Sequence, residues 1–136
     1  MIGHDRNTHF RRFDVSDFRV VQEMHADSFR RLAADDYSES EILAHNVMFQ
    51  SDDYLAALSE SNITLALVGD KVVGSAGWCR LDKNTGRIRK VFVSPDYAGE
   101  GFGRRLVEQV EKEIHQSGVK KILLRASMNS IPFYER

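Results

Sequence analysis

The sequence predicts an α/β fold: a mixed, twisted sheet made of an antiparallel meander followed by a βαβ unit. Three observations predict it. Between residues 62 and 93, short apolar, partly β-branched runs alternate with tight turns. From Phe102 a helical period takes over, with Phe102, Leu106, Val110 and Ile114 at every fourth position. A last apolar run, Lys120 to Ala126, follows that helix. Strand, helix, strand at this spacing makes the two flanking strands parallel.

The elements are justified in order. The first eight residues are mostly polar and read as a frayed terminus. His9 to Val15 reads as a short edge strand. Ser16 is a good N-cap, and Phe18, Val21, Met24, His25 and Phe29 follow at helical spacing. Ser38 with Glu41 at the third position after it spells a capping box, and Ile42, His45 and Phe49 then share one face. Ser51 to Leu58 predicts a further short helix carrying Tyr54, Leu55 and Leu58. Ile63 to Val68 is the first meander strand. Gly69-Asp70-Lys71 turns the chain into Val72 to Leu81, and Lys83-Asn84-Thr85-Gly86 turns it again into Arg87 to Val93. Gly118 sits where a helix C′ residue belongs. Lys120 to Ala126 reads as a strand with a buried centre at Ile122-Leu123-Leu124, and a short helix begins near Ser130.

Composition narrows the function classes. A chain of 136 residues suits one domain over 1–136. Hydrophobic residues at 42% and charged residues at 29% are those of an ordinary globular protein. Nineteen Lys and Arg against twenty Asp and Glu leave a net charge of -1, which argues against nucleic-acid binding through bulk charge. One cysteine excludes an intrachain disulfide and fits a reducing, cytoplasmic compartment. No apolar run approaches the ~18 residues a membrane span needs. The first residues lack the apolar stretch of a signal peptide. The five histidines show no pair at ligand spacing, so no metal site is expected.

The chemistry concentrates in residues 91–106. Gly99, Gly101 and Gly103 alternate just before the amphipathic helix. Glycine permits a left-handed backbone and close approach of a ligand, and the free amides of a helix start attract an anion. Arg104 and Arg105 sit in the first turn, where each cation opposes the helix dipole by up to about 1 kcal/mol unless an anion compensates. Glycines plus cations at a helix start point to a phosphate-bearing ligand; the bland alternative is a flexible turn with solvated arginines. A P-loop would need Gly-Lys-Ser/Thr where Gly103-Arg104-Arg105 stands. A dinucleotide fingerprint would need its third glycine one place later and an acidic residue where Leu123 and Leu124 lie.

This stretch resembles the GNAT acyl-CoA N-acyltransferases. Their loop runs Arg or Gln, any two residues, Gly, any residue, then Gly or Ala; here it falls on Ala98 to Gly103, with Ala98 in the opening place. Val91-Phe92-Val93-Ser94-Pro95 is similar to the family's strand-and-proline lead-in, and Asn129-Ser130-Ile131-Pro132-Phe133-Tyr134-Glu135-Arg136 to its Asn…Phe-Tyr-Glu segment. The resemblance implies a GNAT-like fold and acetyl-CoA as acyl donor. It implies that the main chain of Val91, Phe92 and Val93 pairs with the pantetheine amides. The amides of Gly99, Gly101, Phe102, Gly103 and Arg104 would hold the pyrophosphate, with Arg104 and Arg105 in place of the missing loop cation. Asn129 would bind the pantetheine arm, and Tyr134 would protonate the leaving thiolate. The acceptor it implies is a primary amine of a small molecule or a peptide.

The general base stays open. Many family members carry a glutamate about three residues before the last valine of the third meander strand; here Arg87-Ile88-Arg89-Lys90 offers no carboxylate. The candidates are Glu41, His45 or a water held by backbone carbonyls, against plain capping and surface roles for both side chains. Cys79 reads as a small buried hydrophobe, not a nucleophile. Arg87, Arg89 and Lys90 read as a solvated strand end, with contact to an anionic acceptor or the CoA 3′-phosphate as the alternative. Tyr37 and Trp78 read either as acceptor-pocket lining or as core. Two other functions stay in view: an acetyl-CoA-binding sensor without turnover, and a protein-interaction domain with a vestigial loop. Family members usually continue past Phe-Tyr with two more strands, apparently absent here. The expectation is therefore a truncated chain, an exchanged strand or a homodimer edge.

Overall fold

The computed structural model describes residues 7–33, 35 and 37–124. Its centre is a five-stranded sheet whose spatial order follows the chain: β1 (Thr8–Arg12), β2 (Asn62–Val68), β3 (Lys71–Asp82), β4 (Thr85–Val93) and β5 (Lys121–Leu124). The first four strands pair antiparallel and β4 pairs parallel with β5. The meander and the βαβ unit expected from the sequence are both present. The second turn is tighter than expected: only Lys83 and Asn84 form it, and Thr85 and Gly86 already belong to β4.

Helices cover both faces. On one lie α1 (Phe18–Ser28), α2 (Glu39–Gln50) and α3 (Asp52–Glu60); on the other lies α4 (Phe102–Gln116). The α4 face has a simple cause. Phe102, Leu106, Val110 and Ile114 are all buried and meet Val73, Trp78, Ile88 and Val93 of the sheet. Each such side chain contributes roughly 1.5–3 kcal/mol by leaving water. Gly118 follows the helix at φ +88°, the left-handed C′ position where a Cβ would be strained. The opposite core joins Val21, Met24 and Phe29 with Phe49, Tyr54 and Leu58, over Ile63, Leu65 and Leu67 of β2.

Four expectations need correction. The first strand ends at Arg12, because Asp14 turns the chain. Its carboxylate accepts from the Ser16 backbone N–H at 2.9 Å while Asp17 accepts from the Asp14 N–H at 2.9 Å. That reciprocal pair opens a 3₁₀ turn, Val15–Asp17, and α1 starts only at Phe18, so Ser16 is not the cap. In β5 the expected buried centre is not buried: Leu123 is 46% and Leu124 38% exposed, since β5 is the outermost strand among the described residues. Cys79 is half-buried, with Arg89 Nη1 4.0 Å from its sulfur. The Ser38–Glu41 capping box forms as read.

Candidate functional site

The site is built on the β4 edge and the turn that leaves it. The β4–β5 ladder runs from Thr85↔Lys121 to Ile88↔Leu124, so within the described residues the β5 side of 89–93 has no strand partner. On the other side, β4 carries an irregularity. Ser75 lies opposite Phe92 and Gly77 opposite Arg89, leaving Lys90 and Val91 to face the single residue Ala76. This is a bulge, and Lys90 takes φ +60° to make it. A bulky non-glycine residue in that region costs about 1–3 kcal/mol and persists only where its surroundings hold it.

Those surroundings are polar and buried. The His25 ring lies between Tyr54 and Ser75, with Nδ1 2.5 Å from the Tyr54 hydroxyl and Nε2 2.7 Å from Ser75 Oγ. Ser75 Oγ donates to the Lys90 carbonyl at 2.9 Å. His25 also stacks on Phe92, centroids 4.0 Å apart and 21° between planes. Burial, then the neighbouring Lys90 charge, holds the His25 pKa well below the ordinary histidine value. Burial pushes the Tyr54 hydroxyl up, and burial followed by the Arg89 charge pulls the Lys90 ammonium down. The Lys90 ammonium rests on the Tyr54 ring, 4.7 Å from its centroid.

Beyond Val93 the chain turns through Pro95–Tyr97, with Ser94 N–H donating to Val73 O at 2.7 Å and Tyr97 N–H to Ser94 O at 2.8 Å. Gly99 and Gly101 then adopt φ +83° and +87°. A Cβ at either would meet nothing within 4 Å, so they serve backbone direction and leave open space above the turn. The first helical bond of α4 is Arg105 N–H to Gly101 O at 3.1 Å, and no side chain caps the helix. The amides of Phe102, Gly103 and Arg104 therefore have no partner within the helix, and no acidic residue occupies the first turn. This is a fit for a phosphate group. The two arginines part company here. Arg104 is exposed, whereas the Arg105 guanidinium lies over the rings of Phe10 (5.2 Å) and Phe102 (5.8 Å), toward β1.

The structure brings together Val91, Phe92, Val93, Gly99, Gly101, Phe102, Gly103 and Arg104 along one edge and turn. The Phe92, Val93 and Phe102 side chains pack into the cores, so these three offer only main chain. Asn129 and Tyr134 lie outside the described residues. The two side-chain base candidates are differently engaged. Glu41 accepts from the Ser38 N–H at 2.8 Å, which lowers its pKa and weakens it as a base. The His45 ring stacks on Phe29 at 4.4 Å, its Nδ1 2.8 Å from Glu41 O. Trp78 is core: its Nε1–H donates to Glu113 at 2.6 Å. Tyr37 packs on Phe29 and His45. The bulge and the His25–Tyr54–Ser75 chain escape sequence reading; the one visible signal is a histidine on the apolar face of α1.

These features define a class: an α/β protein in which, among the described residues, an open strand edge runs into uncapped helix amides. The chain belongs to the Acetyltransferase (GNAT) family, whose model matches residues 21–136. It is similar to a glucosamine 6-phosphate N-acetyltransferase of Trypanosoma brucei brucei, 33% identical over 72 residues. That match covers 48% of this chain and 49% of the relative, about half of each. A glucosamine 6-phosphate N-acetyltransferase of Dictyostelium discoideum is 25% identical, with 97% of this chain and 84% of the relative covered. Among solved structures, the PaiA N-acetyltransferase of Thermoplasma acidophilum in complex with coenzyme A shares the fold. Its TM-score is 0.80 at 18% identity, over 93% of this chain and 84% of that one. No helix among the described residues is long and apolar enough to cross a membrane.

Proposed function

We propose that this GNAT acetyltransferase moves an acetyl group from acetyl-CoA to the primary amine of a small molecule that also bears an anionic group. The observation that carries the donor half is the pairing of a β4 edge, open among the described residues, with the uncapped amides of α4. The first offers main-chain partners to an extended amide arm, and the second offers N–H groups and a favourable dipole to a pyrophosphate. In this reading Val91, Phe92 and Val93 hold the pantetheine arm by main chain, and Gly99 to Arg104 hold the pyrophosphate. Asn129 steadies the arm, and Tyr134 donates the proton to the departing thiolate.

The acceptor half rests on charge. Arg87 and Arg89 alternate with Ile88, which points into the α4-side core, so both arginines face the α1–α3 side, beside Lys90. The described ion pairs use Arg11, Arg12, Arg30 and Arg31; among the described residues none reaches Arg87, Arg89 or Lys90. Such a strip suits a phosphate or carboxylate on the acceptor, in keeping with the phosphorylated amino sugar in the names of the two relatives. The cap that lowers the Glu41 pKa weakens that carboxylate as a base, so deprotonation of the amine falls to His45, through Nε2, or to water. The single cysteine supports a cytoplasmic setting, and the exposed leucines of β5 support pairing of two copies.

The test is a thiol-release screen with acetyl-CoA against glucosamine 6-phosphate, glucosamine, amino acids, polyamines and aminoglycosides. The expected result is CoA release that is faster with anionic amines than with their uncharged counterparts. Tight acetyl-CoA binding with no release from any amine would establish a sensor instead. Absence of binding by calorimetry would leave an interaction domain.

A further inference from the structure

Four side chains from four elements close a ring around the β4 bulge. Tyr54 comes from α3, His25 from α1, Ser75 from β3 and Lys90 from β4. Proton counting fixes the direction of the chain. A carbonyl only accepts, so the single Ser75 hydroxyl proton goes to Lys90 O. Ser75 Oγ must then accept from His25 Nε2–H. A neutral imidazole protonated at Nε2 accepts at Nδ1, so the Tyr54 hydroxyl donates there. The result is a one-way relay, Tyr54 to His25 to Ser75 to the Lys90 carbonyl. The Lys90 ammonium returns to the Tyr54 ring face, so one residue is gripped at both its carbonyl and its side-chain end.

The grip falls where it matters. Lys90 holds a left-handed turn that its side chain disfavours, two residues past Ile88, the last β4 residue paired with β5 among the described residues. A trans peptide points its N–H opposite its C=O. Holding the Lys90 carbonyl on Ser75 therefore sets the direction of the Val91 amide, the first of the three residues assigned to the donor. The His25 ring, stacked on Phe92, fixes the segment one residue further on.

We infer that His25, Tyr54 and Ser75 are positioning residues for acetyl transfer: their hydrogen-bond relay locks the Lys90–Val91 bulge and so sets the reacting end of the donor against the acceptor. This rests on the acetyl-transfer reading above. The pyrophosphate turn lies elsewhere along the chain, so loosening the bulge lowers turnover by a larger factor than it weakens donor binding. A misplacement of about 1 Å at a reacting centre costs on the order of 10²-fold in rate.

The experiment compares Ser75→Ala, Lys90→Gly and the double variant, with the best acceptor of the amine panel. Glycine adopts a positive φ without strain, so Lys90→Gly makes the lock unnecessary. Ser75→Ala alone should lower kcat roughly 10- to 100-fold and weaken acetyl-CoA binding by calorimetry by a smaller factor. In the Lys90→Gly background the same change should lower kcat far less. The Lys90 HN–Hα coupling, measured by NMR without turnover, should move from a left-handed toward an extended value in Ser75→Ala alone. An active wild type with unchanged kcat in Ser75→Ala, or equal losses in both backgrounds, overturns the lock. A wild type that acetylates no amine of the panel overturns the acetyl-transfer reading, and the catalytic role with it. The coupling then reports only whether Ser75 shapes the bulge.

Discussion

His25 should make the protein acid-sensitive in a pH range where no other group with a resolved shift contributes. The folded state keeps its imidazole neutral, through burial and the Lys90 charge. The unfolded chain titrates at the ordinary value of 6.5. Between the two pKa values the unfolded state binds one more proton, so stability rises with pH there and is flat above about 6.5. The slope for one proton is about 1.4 kcal/mol per pH unit. Integrated from pH 7 to pH 5, one proton of difference is worth at most about 2 kcal/mol, a substantial part of a typical domain's 5–15 kcal/mol. The depressed carboxylates Asp14, Asp17, Glu41 and Asp82 act at lower pH. Their stabilisation is complete above the unfolded carboxylate pKa and is lost only as pH falls through the folded values. Lys90 and Arg11 act at the alkaline end. The assay is urea unfolding at half-unit steps from pH 5 to 7.5, on wild type and on His25→Gln. Glutamine can still donate to Ser75 but does not titrate. The wild type should lose more stability than the variant across pH 7 to 5, by at most about 2 kcal/mol, with the other histidines cancelling in the difference. Parallel curves for the two proteins would refute the neutral, buried assignment and with it the one-way relay.

Two further outcomes test the donor site. Gly101→Val should lower stability by about 1–2 kcal/mol through left-handed strain and weaken acetyl-CoA binding by shifting the start of α4. A Cβ there meets no atom within 4 Å, so Gly101→Asn, whose side chain tolerates that conformation, should bind much better; equal binding by the two variants in calorimetry would exclude strain as the cause. Tyr134→Phe should lower kcat by about 10²–10⁴-fold with little change in acetyl-CoA affinity; a lower melting temperature with unchanged turnover per folded molecule would mark the hydroxyl as structural.

What the sequence determined by itself is what short-range rules govern. The four-residue repeat from Phe102 to Ile114 marks α4 and its buried face, because helical geometry returns a side chain to one face within a few residues. Gly69-Asp70-Lys71 and Lys83-Asn84-Thr85-Gly86 mark the places of the hairpins, though not their exact bounds, Ser38 and Glu41 the start of α2, and the alternating glycines the turn into α4. Each is decided by backbone sterics and hydrogen bonds between near neighbours. Even locally, Asp14 outcompeted Ser16 as a cap, because two carboxylates three residues apart could satisfy each other's backbone. Tertiary structure alone decided the rest. Arg87-Ile88-Arg89-Lys90-Val91-Phe92-Val93 reads as an unbroken strand, and nothing local announces a left-handed Lys90. The bulge exists because Ser75, fifteen residues earlier, holds its carbonyl, and because His25, fifty residues before Ser75, orients that hydroxyl. A buried polar chain is stable only when every member finds its partner at once. That condition is met by packing α1, α3, β3 and β4 together, and no window of sequence contains it.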